Sequence, residues 1–146
     1  MMKSRTRARI VALQVLFELD LTDHLLGEVL DERSLDEKLD ENQFDFARLL
    51  ISGVRENTII LDELISEHAP EWPLDQVAVV DRNILRMALW EVAFYQKTPL
   101  KVGINEAVEL AKMFGTDSSP RFINGVLGSL AANLDNIIRS NKCNGE

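Results

Sequence analysis

Four prolines, at positions 70, 73, 99 and 120, are all that interrupt this chain, and the segments between them repeat their apolar residues at helical spacing. Proline removes a backbone donor and clashes with the preceding turn, so long proline-free stretches leave helices unbroken. No sustained alternation of apolar and polar residues marks a half-buried strand. The periodicity predicts helices at about 4–20, 23–32, 43–55 continuing through 57–68, 74–80, 82–97, 101–114 and 119–139. Gly115 directly follows Phe114, where a helix-ending glycine belongs. Ser119 followed by Pro120 predicts an N-cap and a first helical residue. In the last helix Phe122, Ile123, Val126, Leu127, Leu130, Leu134, Ile137 and Ile138 share one wide apolar face. The segment ILRMALWEVAFY (84–95) is apolar nearly all round and predicts the most buried helix. The fold class is therefore all-α, two small helical sub-bundles sharing one core.

The chain's 146 residues suit one domain, 1–146, with a polar tail from about 140. The single cysteine, Cys143, excludes a disulfide framework, and with only His24 and His68 beside it a zinc site has no ligand set. No apolar run approaches the ~20 residues that span a bilayer. The start, MMKSRTRARI, is basic but lacks a signal peptide's h-region and small-residue cleavage site, so a cytoplasmic location is expected. Catalysis finds no support, for no paired carboxylates, Cys–His arrangement or phosphate-cradling loop is visible. The two glycines of NGVLG (124–128) lie inside a helix, where packing explains them better than phosphate binding does. No cofactor and no metal are expected.

The formal net charge of −8 speaks at first against nucleic acid, but the charges are segregated. Residues 1–9 carry Lys3, Arg5, Arg7 and Arg9 and no acid. Residues 18–46 carry eleven acids against Arg33 and Lys38, as a solvated loop or an amphipathic helix would. The first helix has two apolar stripes. Ala8, Val11, Ala12, Val15, Leu16 and Leu19 form the core face; Ile10, Leu13 and Phe17 lie roughly opposite. Either this helix is buried between two layers, or the second stripe is a partner surface edged with arginine. Arginine suits the second reading, since its planar fork donates bidentate hydrogen bonds to phosphate.

Four segments, RARIVALQVLFEL (7–19), DRNILRMALWEV (81–92), KVGINEAVELAKMFG (101–115) and SPRFINGVLGSLA (119–131), resemble those of the NusB family of bacterial transcription antitermination factors. They cover most of the chain in the family's order; the acidic stretch 20–42 carries little of the match. The resemblance implies a seven-helix fold in two bundles, without enzymatic activity. It implies pairing with NusE, a small-subunit ribosomal protein, and binding of the pair to the boxA element of nascent ribosomal RNA leaders, which keeps RNA polymerase from terminating early. Some members form homodimers.

Carried over by position, Arg5, Arg7 and Arg9 are the expected RNA contacts, and Thr6 replaces a family arginine. Phe17 stands where the family often has a tyrosine that meets NusE, and Asp81 where an acid faces the same partner. Ile10 and Leu13 would extend that apolar contact. Ser118, Arg121 and Phe122 fall in a region that approaches RNA in the family, with Ser118 where an acid is frequent. Arg86 and Lys112 are further candidates for RNA. The bland alternatives are an N-cap for Asp81, a core position for Phe122 and solvated surface charges for Arg86 and Lys112. Two other functions remain: a homodimer that hides its arginines, and the RNA-binding module of an RNA cytosine methyltransferase, which would need a second domain. The expected mechanism is composite, an apolar NusE contact beside helix one completing a surface for single-stranded RNA.

Overall fold

The computed structural model describes residues 4–71 and 73–144, with side chains in that range as far as Arg139. Lys3, Cys143 and the polar tail from about 140 lie outside the described side chains. The helices are α1 (Ser4–Leu21), α2 (Leu26–Asp36), α3 (Glu41–His68), α4 (Val79–Leu89), α5 (Leu100–Phe114), α6 (Ser119–Ala132) and α7 (Leu134–Asn144). A 3₁₀ turn spans Leu74–Gln76, and α4 runs into a π-helical turn at Trp90–Tyr95. No strand occurs among the described residues, as the periodicity predicts. No helix there is long and apolar enough to cross a membrane.

The chain divides into two compact units, residues 1–56 and 57–146, with the division inside α3. In the first unit α1 packs against α2. The interior takes Ala8, Val11, Ala12, Val15 and Leu16 of the expected core stripe of α1, whose last member, Leu19, is half-buried, together with Val29, Leu30, Ala47, Leu50 and Ile51. A reciprocal capping box opens α3: the Asp40 N–H donates to Gln43 Oε1 and the Gln43 N–H to Asp40 Oδ1. That box starts the helix two residues before the apolar periodicity does. At its other end α2 closes in a Schellman motif, with the Leu39 N–H on the Ser34 carbonyl and the Lys38 N–H on the Leu35 carbonyl. Lys38 occupies the left-handed position with φ 55°, which glycine usually fills.

In the second unit α4 packs on α5 and α6, and α5 on α6. The run from Asn83 through Glu91 is buried without interruption, as expected for the helix with no polar face. Gly103 lets α5 approach this helix: a Cβ there would lie 2.5 Å from Val92 Cγ1. Thr98 donates to the buried Glu91 carboxylate at 2.5 Å, tying the loop before α5 back to the π-helical turn.

Three expectations need correction. The helix expected at 74–80 is only the 3₁₀ turn, and α4 begins at Val79. The helix expected over 119–139 breaks at Asn133, whose side-chain amide donates to the Ser129 carbonyl. Such back-bonding offers the backbone an alternative to continuing the helix. Of the glycines of NGVLG, Gly128 is not a packing position: it is exposed, and a Cβ there would meet nothing within 4 Å.

Candidate nucleic-acid interface

The arginines at the start of α1 have three different environments. Arg5 is exposed, and its guanidinium carbon lies 4.3 Å from the ring centroid of Phe46 on α3. Arg9 is 5% exposed and lies over the same ring at 5.3 Å. Arg7 is half-buried and donates from Nη2 to the Glu37 carbonyl, closing the C-terminal end of α2. Thr6 is buried, so its side chain belongs to the interior. The start of α1 is itself held by α3. Gln43 Nε2 donates to the Ser4 carbonyl at 3.0 Å and to Ser4 Oγ at 3.2 Å. Of the three expected RNA ligands, then, the structure presents Arg5 to solvent, half-covers Arg7 and encloses Arg9.

The second stripe of α1 is likewise divided. Ile10 and Leu13 are 5% and 2% exposed, which removes them from any surface; for these two residues the two-layer reading holds. Phe17, one turn further, is 37% exposed, and Leu21, four residues on, is 57% exposed. The outward apolar row of α1 is therefore Phe17 and Leu21. The sequence reading missed Leu21 because its stripe ended at Phe17, although the i, i+4 spacing carries it on. Behind this row Glu18 accepts from Arg33 Nη2 at 3.0 Å and lies 2.9 Å from His24 Nδ1. Hydrogen bonding to His24, then to Arg33, holds its carboxyl below the usual range.

In the second unit, Asp81, Ser118, Arg121 and Phe122 line one open groove of about 730 Å³. Asp81 is not an N-cap. It is the third residue of α4, and Ala78 holds the cap position. Its Oδ2 accepts from Ser119 Oγ at 3.1 Å, while Oδ1 is buried with no partner among the described residues. Burial pushes its carboxyl pKa up, with the Ser119 hydrogen bond pulling the other way. Ser119, expected as the cap of α6, is instead a bridge: it accepts the Thr116 N–H at 2.9 Å and donates to Asp81. Gly115 makes this possible by close approach rather than by a left-handed turn. A Cβ there would stand 2.4 Å from Ser119 Oγ. Arg121 and Ser118 are exposed, and Phe122 is half-buried, so its ring is neither wholly core nor wholly surface.

Two further candidates are otherwise engaged. Arg86 is buried and makes a bidentate pair with Asp62, at 2.7 and 2.8 Å, which corrects its reading as a surface charge. Lys112 is exposed and pairs with Glu109 at 3.0 Å, a contact of small energetic weight. Among the described residues no group of three or more His, Cys, Asp or Glu side chains is placed to hold a metal ion.

Among the described residues, seven helices in two units, with an arginine and an apolar row displayed on the first helix and an Arg–Phe groove at the start of another, define the class: a small helical module without strands. The NusB family model matches residues 6–132, and the chain belongs to the NusB family. It is 50% identical over 128 residues to the transcription antitermination protein NusB of Chloroflexus aggregans, covering 86% of this chain and 85% of that one. To the protein of that name from Bacillus subtilis it is 43% identical over 134 residues, covering 92% and 98%. Among solved structures it is similar to T. maritima NusB (TM-score 0.77, 38% identity, 95% and 93% covered). It is also similar to a chain of the antitermination factors NusB and NusE in complex with double-stranded RNA (TM-score 0.79, 25% identity, 96% and 99% covered).

Proposed function

We propose that this chain is a transcription antitermination factor that binds boxA-type RNA of ribosomal RNA leaders together with NusE, helping RNA polymerase pass early termination signals. It acts by binding, not by catalysis, in the cytoplasm and as one functional module over residues 1–146. The observation that carries the reading is Arg5. Arg5 is exposed on the first turn of α1, in a chain that belongs to this family and has a formal net charge of −8. Phe17 and Leu21 supply the apolar contact for NusE. Arg121, Phe122 and Ser118 supply a second RNA contact, where a half-exposed ring can stack on an unpaired base. Asp81 lines the same groove, but its Oδ1 is buried and its Oδ2 is held by Ser119, so it shapes the groove wall and does not pair with NusE directly.

A gel shift of boxA-type RNA with this chain, with NusE and with both tests the reading. The pair is expected to shift the RNA at concentrations where neither protein alone does. If the mixture binds no better than NusE by itself, the composite mechanism is wrong.

A further inference from the structure

Arg5 would be a poor ligand if it were free. An exposed arginine samples many rotamers, and fixing it on a phosphate costs side-chain entropy. It also sits four residues from Arg9, and like charges at that spacing on a helix repel. The first unit answers both problems with two side chains from one face of α3. Gln43 is locked by its capping box with Asp40, and its remaining amide hydrogens fasten the Ser4 carbonyl and hydroxyl. Three residues on, the Phe46 ring lies under the guanidinium groups of both Arg5 and Arg9. The negative face of an aromatic ring attracts a cation, so one ring offsets the repulsion between two.

The chemistry of the contact matters. A guanidinium over a ring spends its face on the ring and keeps its N–H donors at its edge. Stacking on Phe46 therefore does not compete with hydrogen bonds to a phosphate; it orients the fork that makes them. Phe46 is itself buried, so its ring is held by the interior and cannot follow the arginine into solvent.

We infer that Phe46, with Gln43, is a positioning platform that pre-orders Arg5 for RNA phosphate, and that Phe46 contributes to RNA affinity without touching RNA. This rests on the proposal that the start of α1 binds RNA. The platform is distinct from a mere core position because its effect must pass through Arg5.

A double-mutant cycle tests that coupling. The affinity of the chain–NusE pair for boxA-type RNA is measured by fluorescence anisotropy for the parent, Arg5→Ala, Phe46→Leu and the double variant. Phe46→Leu is expected to weaken binding about three- to tenfold in the parent and less than about twofold once Arg5 is alanine. Phe46→Tyr, which keeps the ring face, is expected to bind within about twofold of the parent. Equal losses from Phe46→Leu in both backgrounds would show a structural role only and overturn the inference. So would a loss on Arg5→Ala with none on Phe46→Leu. If Arg5→Ala itself has no effect, the RNA reading of α1 falls, a separate pattern from either of these. A second readout needs no substitution: in the intact chain the Arg5 side-chain protons should be shifted upfield by the ring. Unshifted Arg5 resonances would also overturn the platform.

Discussion

Arg5, Arg7 and Arg9 are two residues apart on one helix, so about 200° of rotation separates each from the next. Arg5 and Arg9 thus return to one side and share Phe46, while Arg7 points away to the end of α2. Alanine at Arg5 should weaken RNA binding and lower the salt slope by about 0.7, the value for one phosphate contact on a single strand. Melting should change little, since that side chain is exposed. Alanine at Arg86 should do the reverse. It strands Asp62, and the half-exposure of that partner moderates the cost to about 2 kcal/mol in urea unfolding, with RNA affinity of the folded protein unchanged. Asp81 adds a pH test. Its folded pKa is raised, so the protonated form is favoured in the folded state, and stability from this group is lost as pH rises through that pKa. Asp81→Asn should therefore be more stable than the parent at pH 7. The difference should vanish below the ordinary carboxylate pKa, as urea titrations at both ends would reveal. A gap that widens in acid would mean the carboxylate is stabilised, not strained, where it sits.

At the scale of elements, the corner between α5 and α6 shows how a groove is held. Gly115 has no side chain, Ser119 enters the space, and Ser119 anchors Asp81 across the groove. Gly115→Ala should push Ser119 aside and cost about 1–3 kcal/mol, the range for an overpacked site. An undisturbed melting temperature would mean that the corner yields freely. The outward row on α1 gives another test. Phe17→Asp should strongly weaken NusE binding by calorimetry, since it places a charge in an apolar contact. Much of this architecture was legible in the sequence because periodicity reports helices well: α1, α3, α5 and the core stripe of α1 lie within a few residues of expectation. The misplaced boundaries are where a polar side chain overrides periodicity, as Asp40 and Gln43 do at the start of α3 and Asn133 does between α6 and α7. The site was less legible for a different reason. Spacing tells which residues share a helix face but not whether that face is covered, so it leaves Ile10 and Leu13 open between a buried layer and a partner surface, and Arg9, an expected RNA contact, lies inside with them. Phe46 gave the opposite signal: an aromatic on an apolar stripe reads as core, and nothing in its spacing announces two arginines over its ring.

At the scale of the molecule, charge decides how the parts combine. The net charge of −8 is concentrated around α2, whose Glu28, Asp31, Glu32 and Asp36 are all exposed. Arg7 brings the start of α1 against the last residues of this same helix. RNA approaching Arg5 therefore enters the field of an acidic helix in the same unit, a field that salt screens. On the proposed function, this repulsion would lower affinity for RNA alone, and a basic partner would offset it. Neutralising two exposed acids of α2, Glu32→Gln with Asp36→Asn, should raise the affinity of the isolated chain for boxA-type RNA several-fold at low salt. The gain should fade toward 1 M salt, where the screening length falls to about 3 Å. NusE binding should be unaffected, because the contact proposed for it lies on Phe17 and Leu21 of α1. An equal gain at low and high salt would point to a change in fold instead of in field. No gain at either would place the RNA path beyond reach of α2, and the dependence on NusE would then have to come from its own contacts with RNA.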